Sequence, residues 1–136
     1  MLTASGGTYT LHGITQLPFA DAVARVRESL KEEGFGVLTE IDVQATLREK
    51  LGAQMEPYLI LGACNPTFAH RALQVEPDLG ALLPCNVAVY EQDGATHVSA
   101  VDPVAMLGIV GNPDLEPIGR QIRERVERAV EAVWMA

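Results

Sequence analysis

Apolar positions along the chain change their spacing several times, and each change marks an element. From Leu17 to Glu33, Phe19, Val23, Val26 and Leu30 recur at helical intervals. Pro18 suits the first turn of that helix and Gly34 the left-handed position just past its end. Ahead of it, Thr8–Ile14 places Tyr9 and Leu11 on one face and predicts a first strand. Met1–Gly7 is small and polar and is expected to fray. Phe35–Ile41 alternates, with Phe35, Val37, Thr39 and Ile41 on one face and Leu38 and Glu40 on the other, which predicts a half-buried strand. Asp42 is placed to cap a helix carrying the stripe Val43, Leu47 and Leu51, and Gly52 is placed to end it. Gln54–Pro57 reads as a loop.

Tyr58–Ala63 is a continuous apolar run of strand length, as expected for a strand buried on both faces. Asn65-Pro66 stops it and opens a helix running to about Val75. Pro77, Gly80 and Pro84 then break the chain, with room for one short turn around Leu79–Leu83. Cys85–Glu91 and Thr96–Val101 flank Asp93-Gly94, a hairpin signal because both turn positions tolerate positive φ. Asp102–Pro113 is broken by glycine and proline but apolar in its middle, so it reads as a packed connection. From Asp114 to Val133, Leu115, Ile118, Ile122, Val126, Ala129 and Val133 form one helical face, with Arg123–Glu127 and Glu124–Arg128 available to pair outside. The element order is β-α-β-α-β-α-β-β-α. It predicts one α+β domain over residues 1–136, with helices covering one face of a mixed or antiparallel sheet.

Charge narrows the partners. Ten Lys and Arg against eighteen Asp and Glu give a net charge of −8, the wrong sign for neutralising phosphates or meeting an anionic bilayer. Neither a nucleic acid nor a membrane is therefore expected as partner. No basic segment followed by an apolar run suggests export, and two cysteines without an export signal imply free thiols in a reducing cytoplasm.

Phosphate-binding, dinucleotide-binding, C-x-x-C, H-E-x-x-H and G-x-S-x-G patterns are all missing, so no cofactor, metal or reaction class is indicated. What remains is a pair of Cys-Asn steps, Cys64-Asn65 and Cys85-Asn86. Cys64 ends a predicted strand just before a helix N-terminus, where the helix dipole favours a thiolate. Cys85 begins another strand. If those strands are antiparallel the thiols share one end of the sheet; if parallel they lie at opposite ends. The functional reading is a dithiol pocket with His70 as a third group. The plain alternative is two small core cysteines, asparagines that cap a helix and a turn, and an exposed His70. His12 and His97 fall on predicted strands with no evident partner. Glu40 and Asp42 are explained as a solvent-facing strand residue and a helix cap.

Gly34–Val43 (GFGVLTEIDV), Leu61–Leu73 (LGACNPTFAHRAL), Leu82–Glu91 (LLPCNVAVYE) and Val101–Leu107 (VDPVAML) together resemble the prokaryotic DUF302 family, a domain of unknown function. The likeness runs from about Tyr9 to the last helix. It implies helices on one side of a mainly antiparallel sheet, an arrangement resembling that of the TATA-binding protein, and a small homodimer. It also implies that the middle strands run antiparallel, which would bring Cys64 and Cys85 together. Asn65, Pro66, Pro84 and Asn86 match the family's motif positions as well, but the resemblance supplies no activity. Two functions are carried forward: a homodimeric small-ligand-binding or interaction module near the Cys-Asn steps, and a thiol-dependent redox protein using Cys64 and Cys85.

Overall fold

The computed structural model describes residues 9–136 and the backbone of Leu2–Ala4. The strands are β1 (Leu2–Ala4), β2 (Thr10–Thr15), β3 (Gly36–Asp42), β4 (Tyr58–Cys64), β5 (Cys85–Gln92) and β6 (Ala95–Val101). The helices are α1 (Phe19–Glu32), α2 (Val43–Leu51), α3 (Pro66–Val75), α4 (Pro103–Gly108) and α5 (Glu116–Trp134), with 3-10 turns at Pro77–Ala81 and Pro113–Leu115. The strands form one antiparallel sheet in the order β1-β2-β6-β5-β4-β3. No helix among the described residues is long and apolar enough to cross a membrane.

Local chemistry accounts for most boundaries. Asp42 accepts from the Ala45 amide at 2.9 Å and opens α2, which closes on Gly52 at φ 66°. Asn65 accepts from the Phe68 amide at 3.4 Å, and Pro66 occupies the first turn of α3. Asp93 and Gly94 sit at φ 53° and 78°, so β5 and β6 join through the predicted two-residue hairpin.

The core lies between the sheet and one helical layer. Leu11, Leu61, Val87, Val89, Val98 and Ala100 point from the strands into it, and α1 and α5 answer with Val26, Leu30, Ile122, Val126 and Val133. Among the described residues no helix layer of this kind covers the opposite face of the sheet, and Tyr58 and Ile60 are only half-buried there. The expectation that β4 is buried on both faces is corrected accordingly: its apolar run serves a core on one side and an open face on the other.

Four further expectations change. Leu2–Ala4 form β1 within the stretch expected to fray; Met1 and Ser5–Gly7 lie outside the described residues. Tyr9 falls in a bend before β2 and turns to the open face instead of sharing the Leu11 side. Strand β3 is largely exposed because it is an edge strand, and a register shift between Val37 and Thr39 interrupts its alternation. Arg123 pairs with Glu127 at 3.3 Å as expected, but Arg128 turns to Glu33 (2.9 Å) because α1 packs beside α5.

Candidate functional site

The antiparallel pairing of β4 and β5 places Ala63 opposite Cys85. Cys64, one residue further along, therefore reaches the same end of the sheet. Both cysteines line a cavity of about 320 Å³ between that end, α3 and α4. Phe35, Phe68, Met106, Leu107 and Ile122 supply its apolar wall, while Leu38 and Leu73 stand at its exposed side. Among the described residues, Asn65 and Thr39 are the only polar side chains in the wall besides the thiols, and no charged group lines it. Burial, and then the neighbouring Cys64, push the Cys85 thiol up to about 11. Cys85 is therefore a neutral, weakly polar wall group at physiological pH.

Gly62 helps set the cavity's shape. A Cβ there would stand 2.1 Å from Thr39 Oγ1 and 2.8 Å from the Pro84 ring, so β4 can pass between β3 and Pro84 only without a side chain.

The proposed site residues divide. Cys64, Asn65 and Cys85 share the cavity. His70 is exposed on α3 and is not among the lining residues. Helical spacing explains this, since Phe68 and Ala72 are the α3 side chains turned inward. Asn86 follows Cys85 on an extended strand, so it projects through to the open face and lies exposed there.

That open face holds residues for which the sequence offers no partner. Tyr58, Tyr90 and His97 lie side by side on β4, β5 and β6 in direct register. Their rings stack, with centroids 5.0 Å and 4.8 Å apart and planes inclined by 12° and 6°. His12 on β2 stacks on His97 at 5.1 Å and joins it through Nε2···Nδ1 at 2.9 Å. The expectation that His12 and His97 stand unaccompanied is corrected: the sheet makes them a pair. The signal was available in part, because a two-residue turn at Asp93-Gly94 puts Tyr90 opposite His97. The place of β2 beside β6, which brings in His12, has no local signature.

A hydrogen bond between two imidazoles needs one proton between the facing nitrogens, so adding a second opposes it. Burial, and then His97, hold the His12 imidazole below its ordinary value of 6.5. The unfolded chain thus takes up this proton first, and the stability present at neutral pH is lost as pH falls through that value. The expected result is a fall in urea-unfolding free energy between about pH 7 and 5, smaller in His12→Phe. Parallel slopes for the two proteins would show that His12 does not carry the effect.

The DUF302 family model, a domain of unknown function, matches residues 12–133. A crystal structure of an uncharacterized conserved DUF302 protein from Bacillus stearothermophilus superposes with a TM-score of 0.88 at 31% identity. The match covers 93% of this chain and 99% of that one. Comparison with curated proteins gives no match. The family match and the superposition together place the chain: it belongs to the DUF302 family.

Proposed function

We propose that the protein is a small-molecule-binding module that takes an uncharged, mainly apolar ligand into the cavity beside Cys64 and Cys85. The observation carrying this reading is the cavity itself, about 320 Å³ with a carbon-rich wall and, among the described residues, no ionised side chain. That volume falls at the lower end of the range typical of small-molecule sites. An uncharged wall favours ligands that lose little hydration on entry, and Asn65 and Thr39 offer the few polar contacts that would orient one.

The test is a thermal-shift titration with benzene, indole and naphthalene on the wild type and on Ala69→Trp, which places an indole where α3 lines the cavity. Saturable stabilisation of the wild type that disappears in Ala69→Trp is expected. No stabilisation by any of the three, or equal stabilisation of the variant, overturns the reading.

The protein is proposed to work in the cytoplasm as a homodimer that covers the outer edge of β3. There Leu38, Ile41 and, on α2, Leu51 are 68%, 48% and 75% exposed. An apolar edge strand of this kind favours a cover. Sedimentation equilibrium should show a dimer that Leu38→Lys/Ile41→Lys converts to monomer; a wild-type monomer at all concentrations sinks the assignment.

A thiol-redox reading draws support from the two cysteines lining one cavity, but the raised Cys85 thiol opposes its acting as the attacking thiolate. A thiol-reagent titration distinguishes the readings. Slow labelling of Cys85 until the protein unfolds fits a wall group, whereas fast labelling of both thiols in the native protein fits a redox couple.

A further inference from the structure

We infer that the open face of the sheet carries a second ligand site, distinct from the cysteine cavity, for a flat, uncharged ring compound with hydrogen-bonding groups on its edge.

The sequence contains only three tyrosines, and all three meet here. Two rows of residues, each running across the strands, build the groove. The first is the stacked pair Tyr58 and Tyr90, with His97 stacked on Tyr90 behind the lining and His12 diagonal to it. The adjacent row is low in its middle, where Ala88 pairs with Ser99 between Ile60 on β4 and His12 on β2. A tall aromatic row beside a floor of alanine and serine leaves a trough of about 580 Å³. On the far side Tyr9 is 66% exposed, yet its backbone is held, because its carbonyl accepts from the Asp102 amide at 2.7 Å.

Three features select the ligand. First, Tyr58 and Tyr90 stack face to face along the row, so these two rings turn their edges to the trough. Ring edges carry partial positive charge and favour the face of another π system in a T-shaped contact. Second, neighbouring rings hold each other's orientation, so a ligand meets a wall that is already ordered and loses less entropy on binding. Third, among the described residues no Asp, Glu, Lys or Arg lines the groove, although the chain carries 28 such residues and a net charge of −8. Asn86, Ser99 and the tyrosine hydroxyls supply neutral donors and acceptors instead. A charged ligand would find no counter-ion here, and a purely apolar one would leave these polar groups unmatched.

The experiment is a proton–nitrogen NMR titration of the full chain with adenine and with indole, both flat and uncharged, against cyclohexanol, which is uncharged but not flat. Saturable shifts are expected at the amides of Ala88, Ser99 and His12. Binding should weaken at least tenfold in Ala88→Leu, which raises the floor, and in Tyr90→Leu, which breaks the wall. One variant fills the floor and the other removes a wall ring, so misfolding of one leaves the other as a test. Absence of shifts, or equal binding of cyclohexanol, overturns the inference. So do indole shifts confined to Cys64 and Phe68, which would assign it to the cysteine cavity alone. Groove resonances that broaden with protein concentration, and sharpen in Tyr90→Leu without ligand, would assign the face to self-association and overturn it equally.

Discussion

Replacing Gly13 with alanine is expected to destabilise the protein by about 3 kcal/mol, lowering the thermal midpoint by roughly 10 °C. Gly13 lies in β2 opposite Val98 of β6. The indole of Trp134, the last residue of α5, packs onto this pair, is 3% exposed and donates from Nε1 to the Val98 carbonyl at 3.0 Å. A Cβ at Gly13 would stand 2.4 to 2.5 Å from three atoms of that ring. No rotation of a methyl group relieves such a contact, so the indole must lift, losing packing and straining its hydrogen bond. Removing the ring outright sets the upper scale, about 3–5 kcal/mol for a buried Trp→Ala change. A double-mutant cycle isolates the cause. Gly13→Ala should cost little or nothing in a Trp134→Ala background, because the atom it strikes is gone. An equal cost in both backgrounds would mean that the glycine serves the strand and not the indole.

This contact shows why some of the fold is legible in sequence and some is not. The α5 stripe from Leu115 to Val133, the caps at Asp42 and Asn65, and the Asp93-Gly94 turn rest on interactions between residues a few positions apart. Their chemistry is written locally, and the structure follows it. Gly13 is separated from Trp134 by nearly the whole chain, and nothing beside either residue announces the other. The same holds for His12 and His97, whose pairing depends on β2 lying next to β6. Long-range pairing also decides which strands have a covered second face. An apolar run such as Tyr58–Cys64 looks alike whether helices cover both sides or one.

The Cys-Asn steps were legible to the same extent. Antiparallel β4 and β5 bring Cys64 and Cys85 to one cavity, as the family resemblance implied. Strand alternation separates the asparagines, keeping Asn65 as a cap in the cavity wall and sending Asn86 to the other face. Nearness in sequence puts His70 close to the thiols, but α3 turns Phe68 inward and leaves His70 outside. Periodicity assigns a residue to a helix more easily than it identifies the side that faces the core.

Raising the pH above 9 is expected to weaken the fold through Cys85. Its thiol titrates near 9.0 when solvated and is pushed up to about 11 in the fold by burial and by Cys64. Between those values the folded state keeps a proton that the unfolded chain has released. The stabilisation is therefore complete below the unfolded value and is lost as pH rises through the folded one. A shift of this size corresponds to on the order of 3 kcal/mol in full, and about 2 kcal/mol is lost by roughly pH 10.5. Tyrosines and lysines titrate in the same range, so the measurement is a comparison. Urea unfolding across about pH 8 to 10.5 should fall more steeply for the wild type than for Cys85→Val, which fills a similar space with nothing to ionise. Equal slopes would place the Cys85 sulfur in water and undo the case for a neutral wall. A steeper wild-type slope supports a cavity whose thiol shapes it without attacking its contents, as the small-molecule reading requires.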